Sequence, residues 1–493
     1  MSEIKTLLNQ SSHYFIGQVV IMAAGFISFP IFTRIFSVGD YGILGIMTTT
    51  VLIATAVAKL GLPGWIVQFY AEFKLNKRLD SFQSTILISS VGCAATVAIF
   101  FYVLGHLFRS KIFEKNIVNL IPLVSMIIFT SCTSDILTSF LRAEQRTKLY
   151  NLVAIIRRYG TLTLSILLAL FIVKGLNGFY LGQILGGIMG LSLLIYISMK
   201  DRKISFSNFS IGVFKDSIRF GLPMVGGEMG HLILNYADRY LVQLYLGSIS
   251  LGLYIAGYNL STYVTEMLMY PINYAMTPIY MNILVKKGEE ETRKFFTKAF
   301  RYFLMIMFAL VFGFIAVGKD LIGILASSKY LEAYSILPYV VIGQSIYACS
   351  ILLNSGLFIR RKTYIVTYIM LVACLVNIGL NMVLIPRFGI LGAAQATLIS
   401  NIFYTILITY YAFKEFSFPI DYPRIILYLC SSIVMYLSIK NVHLGGRVVN
   451  LISQIIIGIM VYSILVLLFD REIRENLLKY ARSIKKRPGK KFI

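Results

Sequence analysis

The sequence predicts an all-α polytopic membrane protein of about fourteen transmembrane helices. Three observations carry this. First, 57% of the 493 residues are hydrophobic and 14% charged, with a mean hydropathy of +0.77, far more apolar than an ordinary soluble chain. Second, apolar runs of bilayer length recur from one end to the other, bounded by charged or Gly/Pro/Asn-rich breaks. Third, no ten-residue segments of alternating hydrophobicity recur, which argues against a β-barrel.

In chain order the predicted spans cover residues 13–36, 42–69, 83–107, 117–141, 150–173, 177–199, 218–246, 251–284, 299–318, 335–358, 364–385, 389–413, 424–440 and 448–469. The last four are closely spaced. The first is too long for a signal-peptide core and has no small-residue cleavage site. Cys93, Cys132, Cys349, Cys374 and Cys430 all lie in apolar runs without C-x-x-C spacing, so they read as small core hydrophobes rather than disulfides or metal ligands. No connection between spans is long enough to be a folded soluble domain.

The chain has 46 Lys+Arg against 22 Asp+Glu, a net charge of +24. In a soluble protein this would suggest nucleic acid as a partner. Here it fits cationic loops beside anionic headgroups, and no nucleic-acid partner is expected. Assigning residues at span edges to the adjoining connection, 32 of the 46 fall in the alternate connections that include both termini. Ten fall in the other set, and Lys59, Arg157, Arg158 and Arg239 lie inside spans. The positive-inside rule therefore predicts that both termini are cytoplasmic. The basic tail after Asp470 reads as a solvated segment beside the lipid surface.

An internal repeat is visible. Arg146, Lys148 and Tyr150 recur as Arg360, Lys362 and Tyr364, at the same offset that brings Gly175 and Gly178 onto Gly389 and Gly392. A slightly shorter offset places Arg34 on Arg239. The expected domains are a six-helix lobe over 1–200, a second over 201–415, an added helix pair over 416–470 and the tail 471–493. An even number of spans per half makes this a parallel repeat, with an axis along the bilayer normal.

The most informative stretch is Ile218–Gly247, IRFGLPMVGGEMGHLILNYADRYLVQLYLG. At ~100° per residue, Glu228, His231, Asn235, Asp238 and Arg239 share a sector roughly 100° wide on one helical face. Charged groups at membrane depth are tolerated where they face a bundle interior or a hydrated cavity. The alternative is a structural ion pair of Asp238 with a neighbouring cation. Other spans carry stripes at helical spacing: Thr48, Thr55 and Lys59; Ser131, Asp135, Thr138 and Arg142; Arg157, Arg158, Thr161 and Ser165; and Tyr254, Tyr258, Thr262, Thr265, Glu266 and Asn273. One hydrated cavity shared by these faces would explain them together.

F-x-x-x-P-I-F-T-R-I-F-S-V-G-D-Y-G from Phe26, F-G-L-P from Phe220, D-R-Y-L from Asp238 and L-G-L-Y-x-x-G-Y-N from Leu251 resemble the polysaccharide repeat-unit (O-antigen) flippases of the Wzx type. These belong to the multidrug/oligosaccharidyl-lipid/polysaccharide exporter (MOP) superfamily. The resemblance spans the whole chain, although its motifs are degenerate. It implies two six-helix lobes in a V around a central cavity. It also implies export of an undecaprenyl-diphosphate-linked oligosaccharide, of the kind used for lipopolysaccharide, to the outer leaflet of a bacterial inner membrane. A polysaccharide polymerase and a chain-length regulator would be its protein partners.

Such a substrate assigns roles. Arg34, Lys59, Arg157, Arg158 and Arg239 are candidates to receive the diphosphate, since guanidinium forks match phosphate oxygens. Arg157 and Arg158 could instead snorkel to headgroups, and Arg34 could be an interfacial anchor. Asn235, Tyr254, Tyr258, Thr262, Thr265 and Asn273 offer the hydroxyl, amide and aromatic groups that sugars need. Asp135, Glu228, His231, Asp238 and Glu266 are candidates to bind a coupling proton or sodium ion, with His231 alternatively a packing residue. Pro63, Pro271 and Pro278 are candidate hinges, or simple kinks. No catalytic residue, cofactor or metal is expected. A cation-coupled multidrug exporter is the alternative within the superfamily. A membrane polysaccharide polymerase is the alternative outside it, weakened by the absence of a sizeable extracytoplasmic loop, of HExxH and of a P-loop.

Overall fold

The computed structural model of the chain describes residues 2–107, 115–199 and 204–476. For some of these, including Pro271, Asn273 and Pro278, only the backbone is described. The described residues form fifteen α-helices and no strand. They are α1 (Ser2–Ile35), α2 (Val38–Ala58), α3 (Leu62–Leu75), α4 (Leu79–Leu107), α5 (Lys115–Val118), α6 (Ile121–Ala143), α7 (Thr147–Leu167), α8 (Leu176–Met199), α9 (Ile211–Leu325), α10 (Leu337–Leu353), α11 (Ser355–Ile359), α12 (Thr363–Phe388), α13 (Ile390–Glu415), α14 (Tyr422–Ile439) and α15 (Arg447–Phe469). Twelve helical stretches are long and apolar enough to cross a membrane, and Val19–Ile35 of α1 is a shorter apolar one.

Every predicted span maps onto helix. The helical run α9 holds three of them, because Gly247 and Gly288 adopt left-handed φ of +79° and +81° and redirect the chain there. Span two departs from expectation. It is two helices, α2 and α3, parted by left-handed Leu60 (φ +48°) and Gly61 (φ +69°). Pro63 therefore lies in the first turn of α3, where its missing N–H costs nothing. It starts a helix rather than kinking one. Large apolar side chains such as Ile99, Phe100, Phe171 and Leu375 are exposed, as lipid-facing surface must be. Ser and Thr hydroxyls inside the helices donate to carbonyls a turn back, as at Thr49 to Gly45, Ser134 to Thr130 and Thr138 to Ser134. These hydroxyls are thus satisfied without water.

The chain divides into two compact units, residues 1–255 with 370–396, and 256–369 with 397–493. In the first, Leu62, Trp65, Ile66, Phe82, Ile86, Ile136, Phe140, Val153 and Leu194 form a buried core. α7 and α8 pack closely because small residues meet along their seam: a Cβ at Gly182 would stand 2.4 Å from Ser165 backbone, and one at Gly186 2.6 Å from Thr161 Cα. α2 runs antiparallel to the α9 segment 211–246. A Cβ at Gly61 would meet the Gly221 carbonyl at 2.3 Å, and Thr50 shares a 2.7 Å hydrogen bond with Tyr240. The start of α2 touches the segment after Gly247, where a Cβ at Gly42 would be 2.2 Å from the Ser248 carbonyl and one at Gly252 1.9 Å from that of Val38. The repeat is visible in the backbone as well. Gly175 and Gly389 both have left-handed φ (+86° and +61°), and three residues on, Gly178 and Gly392 both press on a backbone carbonyl.

The second unit has its own core around Phe296, Phe300, Phe303, Met307, Leu352, Phe416 and Phe418. Arg301, 3% exposed, pairs with Asp421 (3.4 Å) and Glu472 (3.0 Å). Arg424 pairs with the same two acids at 3.1 and 2.7 Å, and the Tyr428 hydroxyl donates to Asp470 at 2.5 Å. This network locks the start of α14 and the end of α15 onto α9.

Candidate functional site

Inside the first unit lies a cavity of about 430 Å³. Its charged lining comes from four helices: Lys59 just past α2, Asp135 on α6, Arg157 and Arg158 on α7 and Glu228 on α9. Thr55, Thr130, Ser131, Ser134, Tyr150, Thr161 and Gln183 supply polar groups. Each charge arrives by a local rule. Lys59 caps α2 immediately before the Leu60–Gly61 break, so the end of the helix presents its ammonium. Asp135 lies on the same face of α6 as Ser131, one turn away. Arg157 runs over Gly190 of α8, where a Cβ would be 2.9 Å from its Cγ.

The charges interlock. Lys59 Nζ stands 3.2 Å from Glu228 Oε1 and 3.8 Å from Asp135 Oδ2, and Arg157 Nη2 stands 3.3 Å from Asp135 Oδ1. Arg157 Nη1 is buried with no hydrogen-bond partner, and Arg158 makes no ion pair among the described residues. Three cations thus face two carboxylates whose side chains are 33% and 43% exposed. The cavity carries an excess positive charge, and its pairs are wet enough to exchange partners.

The remaining predicted residues lie elsewhere. Arg239 is not in this cavity. It is 6% exposed, donates to Thr49 at 3.1 Å and lies over the Tyr236 ring at 4.5 Å. Asp238 accepts the Tyr254 hydroxyl at 2.5 Å. Of the five candidates for the diphosphate, Arg239 therefore lies apart from Lys59. Eleven residues separate Glu228 from Arg239, or about 16 Å along a helix. Arg34, in the last turn of α1, donates to the Pro30 carbonyl at 2.8 Å, where the helix dipole favours a cation. Asn235 donates to the His231 carbonyl of its own helix. In the second unit, Thr262 accepts from Gln344 (2.7 Å) and Thr265 donates to it (2.8 Å), so both clamp α10. Tyr258 is buried and Glu266 half-buried. The backbone is helical through Pro271, Asn273 and Pro278, whose side chains lie outside the described residues. Sequence reasoning missed Thr130, Ser134, Tyr150 and Gln183 in the lining. Tyr150 was marked only by the repeat, and nothing in the pattern around Gln183 signals it.

In the first unit, helices of bilayer length thus line a charged cavity. Residues 7–284, more than half of the chain, match the family described as "Polysaccharide biosynthesis protein", and the chain belongs to that family. It is 23% identical over 297 residues to the "Probable low-salt glycan biosynthesis flippase Agl15" of Haloferax volcanii, covering 57% of this chain and 59% of that one. The chain thus spans less than two thirds of that relative's length. It is 25% identical over 368 residues to the "Uncharacterized membrane protein MJ1375" of Methanocaldococcus jannaschii, covering 69% and 82%. Among solved structures it is similar to a lipid II flippase MurJ in an inward closed conformation (TM-score 0.78, 18% identity, 93% of this chain and 99% of that one). It is also similar to an inward-facing multidrug resistance MATE family transporter of the MOP superfamily (TM-score 0.62, 14% identity, 81% and 94%). At these identities the likeness speaks for the fold: an all-α, multi-pass transporter fold.

Proposed function

We propose that the protein is a flippase that carries a lipid-diphosphate-linked oligosaccharide across the membrane, the lipid being undecaprenol. The observation that supports this best is the cavity in which Lys59, Arg157 and Arg158 outnumber Asp135 and Glu228. A diphosphate cannot cross hydrocarbon unaided, and fixed cations in a hydrated cleft replace its lost hydration. A cationic drug would meet a surplus of its own sign, which disfavours the multidrug exporter reading. The same account takes residues 1–200 and 201–415 as the two lobes of the transport cycle, with both termini in the cytoplasm of a bacterium and a polysaccharide polymerase and chain-length regulator as neighbours. Transport is coupled to a proton or sodium gradient, and Glu266 is the acid assigned to it. It is half-buried and makes no ion pair among the described residues.

The test is flipping of a fluorescent undecaprenyl-diphosphate oligosaccharide in proteoliposomes. Lys59→Met and Arg158→Met should each lower the rate at least tenfold at unchanged protein level. Wild-type rates in both variants would refute the assignment.

A further inference from the structure

The two carboxylates of the cavity are unusual for a site that receives an anion. Each repels the guest, yet each touches a cation the guest needs. We infer that Asp135 and Glu228 are tethered stand-ins for the substrate diphosphate: they hold the cations in the empty site, the arriving phosphates displace them, and they reclaim the cations to drive release. This rests on the reading of the cavity as a diphosphate seat.

The geometry supports exchange rather than a fixed structural lock. Lys59 lies between two carboxylates on different helices, 3.2 Å from one and 3.8 Å from the other. Asp135 uses one oxygen on Lys59 and the other on Arg157, as a phosphate bridging the two would. The cations themselves offer room to change partners, since Arg157 Nη1 is buried with no partner. The chain also holds a contrasting cluster. Arg301 is 3% exposed between its acids, against 17% and 32% for Lys59 and Arg157, so there losing a partner leaves a buried charge. Asp135 and Glu228 are 33% and 43% exposed, so water can take them when a guest takes their cations.

Exchange has a mechanical consequence. The pair Lys59–Glu228 ties α2 to α9, and the pair Arg157–Asp135 ties α7 to α6. A diphosphate that takes Lys59 and Arg157 unties both links at once, so occupancy of the cavity is felt in the coupling between these helices. It also gives the acids a role in specificity. A guest with one negative charge replaces one carboxylate and gains little, whereas a diphosphate replaces two. Asp135 touches two cations and Glu228 one, so removing the charge of Asp135 should free more of the site.

The experiment measures binding of inorganic pyrophosphate and of inorganic phosphate to the full chain in nanodiscs at fixed ionic strength. Flipping of the fluorescent undecaprenyl-diphosphate oligosaccharide is followed in parallel. Glu228→Gln should tighten pyrophosphate binding about tenfold, a difference of ~1.4 kcal/mol, and Asp135→Asn should tighten it more. Both should flip more slowly than wild type because release is impaired, and the gain for monophosphate should be smaller. Unchanged or weaker pyrophosphate binding in both variants overturns the inference. Lys59→Met and Arg158→Met separate the two levels of the argument. If these weaken binding while the acid variants do not tighten it, the diphosphate seat stands and the exchange fails. If the cation variants leave binding unchanged, the seat itself fails. The near-isosteric acid variants retain their hydrogen-bonding capacity, and Lys59→Met/Glu228→Gln, which removes a whole pair, controls for loss of fold.

Discussion

Gly190 permits a test that separates packing from function within one helix seam. An alanine Cβ at 190 would stand 2.9, 3.1 and 3.3 Å from Cγ, Cβ and Cδ of Arg157. Ordinary carbon contacts are ~3.5–4.0 Å, so the arginine stem must retreat by about 0.5–1 Å. The guanidinium then leaves Asp135, now 3.3 Å away. The stem is flexible, so strain of ~1 kcal/mol is offset by a similar gain in helix propensity, and the melting temperature should barely move. Flipping should fall about tenfold, the equivalent of ~1.4 kcal/mol of lost stabilisation. Gly182→Ala is the contrast. Its Cβ would meet Ser165 Cα and N at 2.4 Å and the Leu164 carbonyl carbon at 2.6 Å. Backbone cannot swing aside, so α7 and α8 must part, at a cost of ~1–3 kcal/mol from overpacking. Thermal unfolding in nanodiscs and flipping in proteoliposomes are measured for both. The reasoning is refuted if Gly190→Ala melts as low as Gly182→Ala, or if it flips at the wild-type rate while Arg157→Ala is slow.

Other outcomes follow from the same contacts. Arg239→Ala should deplete the protein in membranes, because Arg239 is tied to Thr49 and stacked on Tyr236; normal abundance with lost export would return Arg239 to the substrate path. Arg301→Met should destabilise the second unit by about 2–4 kcal/mol, since two acids lose a buried partner. Adding Glu472→Gln should restore part of that loss, and denaturant unfolding reads both. A cysteine at Lys329, in a chain stripped of its native cysteines, should react with an impermeant reagent added outside, and one at Lys287 should not; the reverse pattern would overturn the predicted topology.

The helices were legible because the bilayer imposes long apolar runs, and the polar stripes were legible because helical spacing keeps them on one face. Which stripes meet was not. Lys59 and Arg239 look equivalent in sequence as cations within apolar spans. Their environments differ because the antiparallel pairing of α2 with α9 sets the register, and that register depends on Gly61 meeting Gly221, two glycines far apart in sequence. The break at Leu60 was invisible, since a leucine at φ +48° contradicts its own preference and is held there by its surroundings. Nothing in the sequence pattern marks Arg301. Its acids, Asp421 and Glu472, lie more than a hundred residues away in sequence.

The same limit explains the polar face of the α9 segment after Gly247. Tyr254, Tyr258, Thr262 and Thr265 lie at spacings that suit a sugar, and from sequence alone their partner could be a sugar or a neighbouring helix. Tyr254 gives its hydroxyl to Asp238, and Thr262 and Thr265 share Gln344. A polar group in a membrane interior must find a partner whether or not a substrate is present. Periodicity therefore marks where polar groups lie, and only the match between polar groups on facing helices decides whether they remain to be used. In the cavity the cations are in surplus, three against two acids. That surplus, rather than the polarity, marks the cavity as the candidate site.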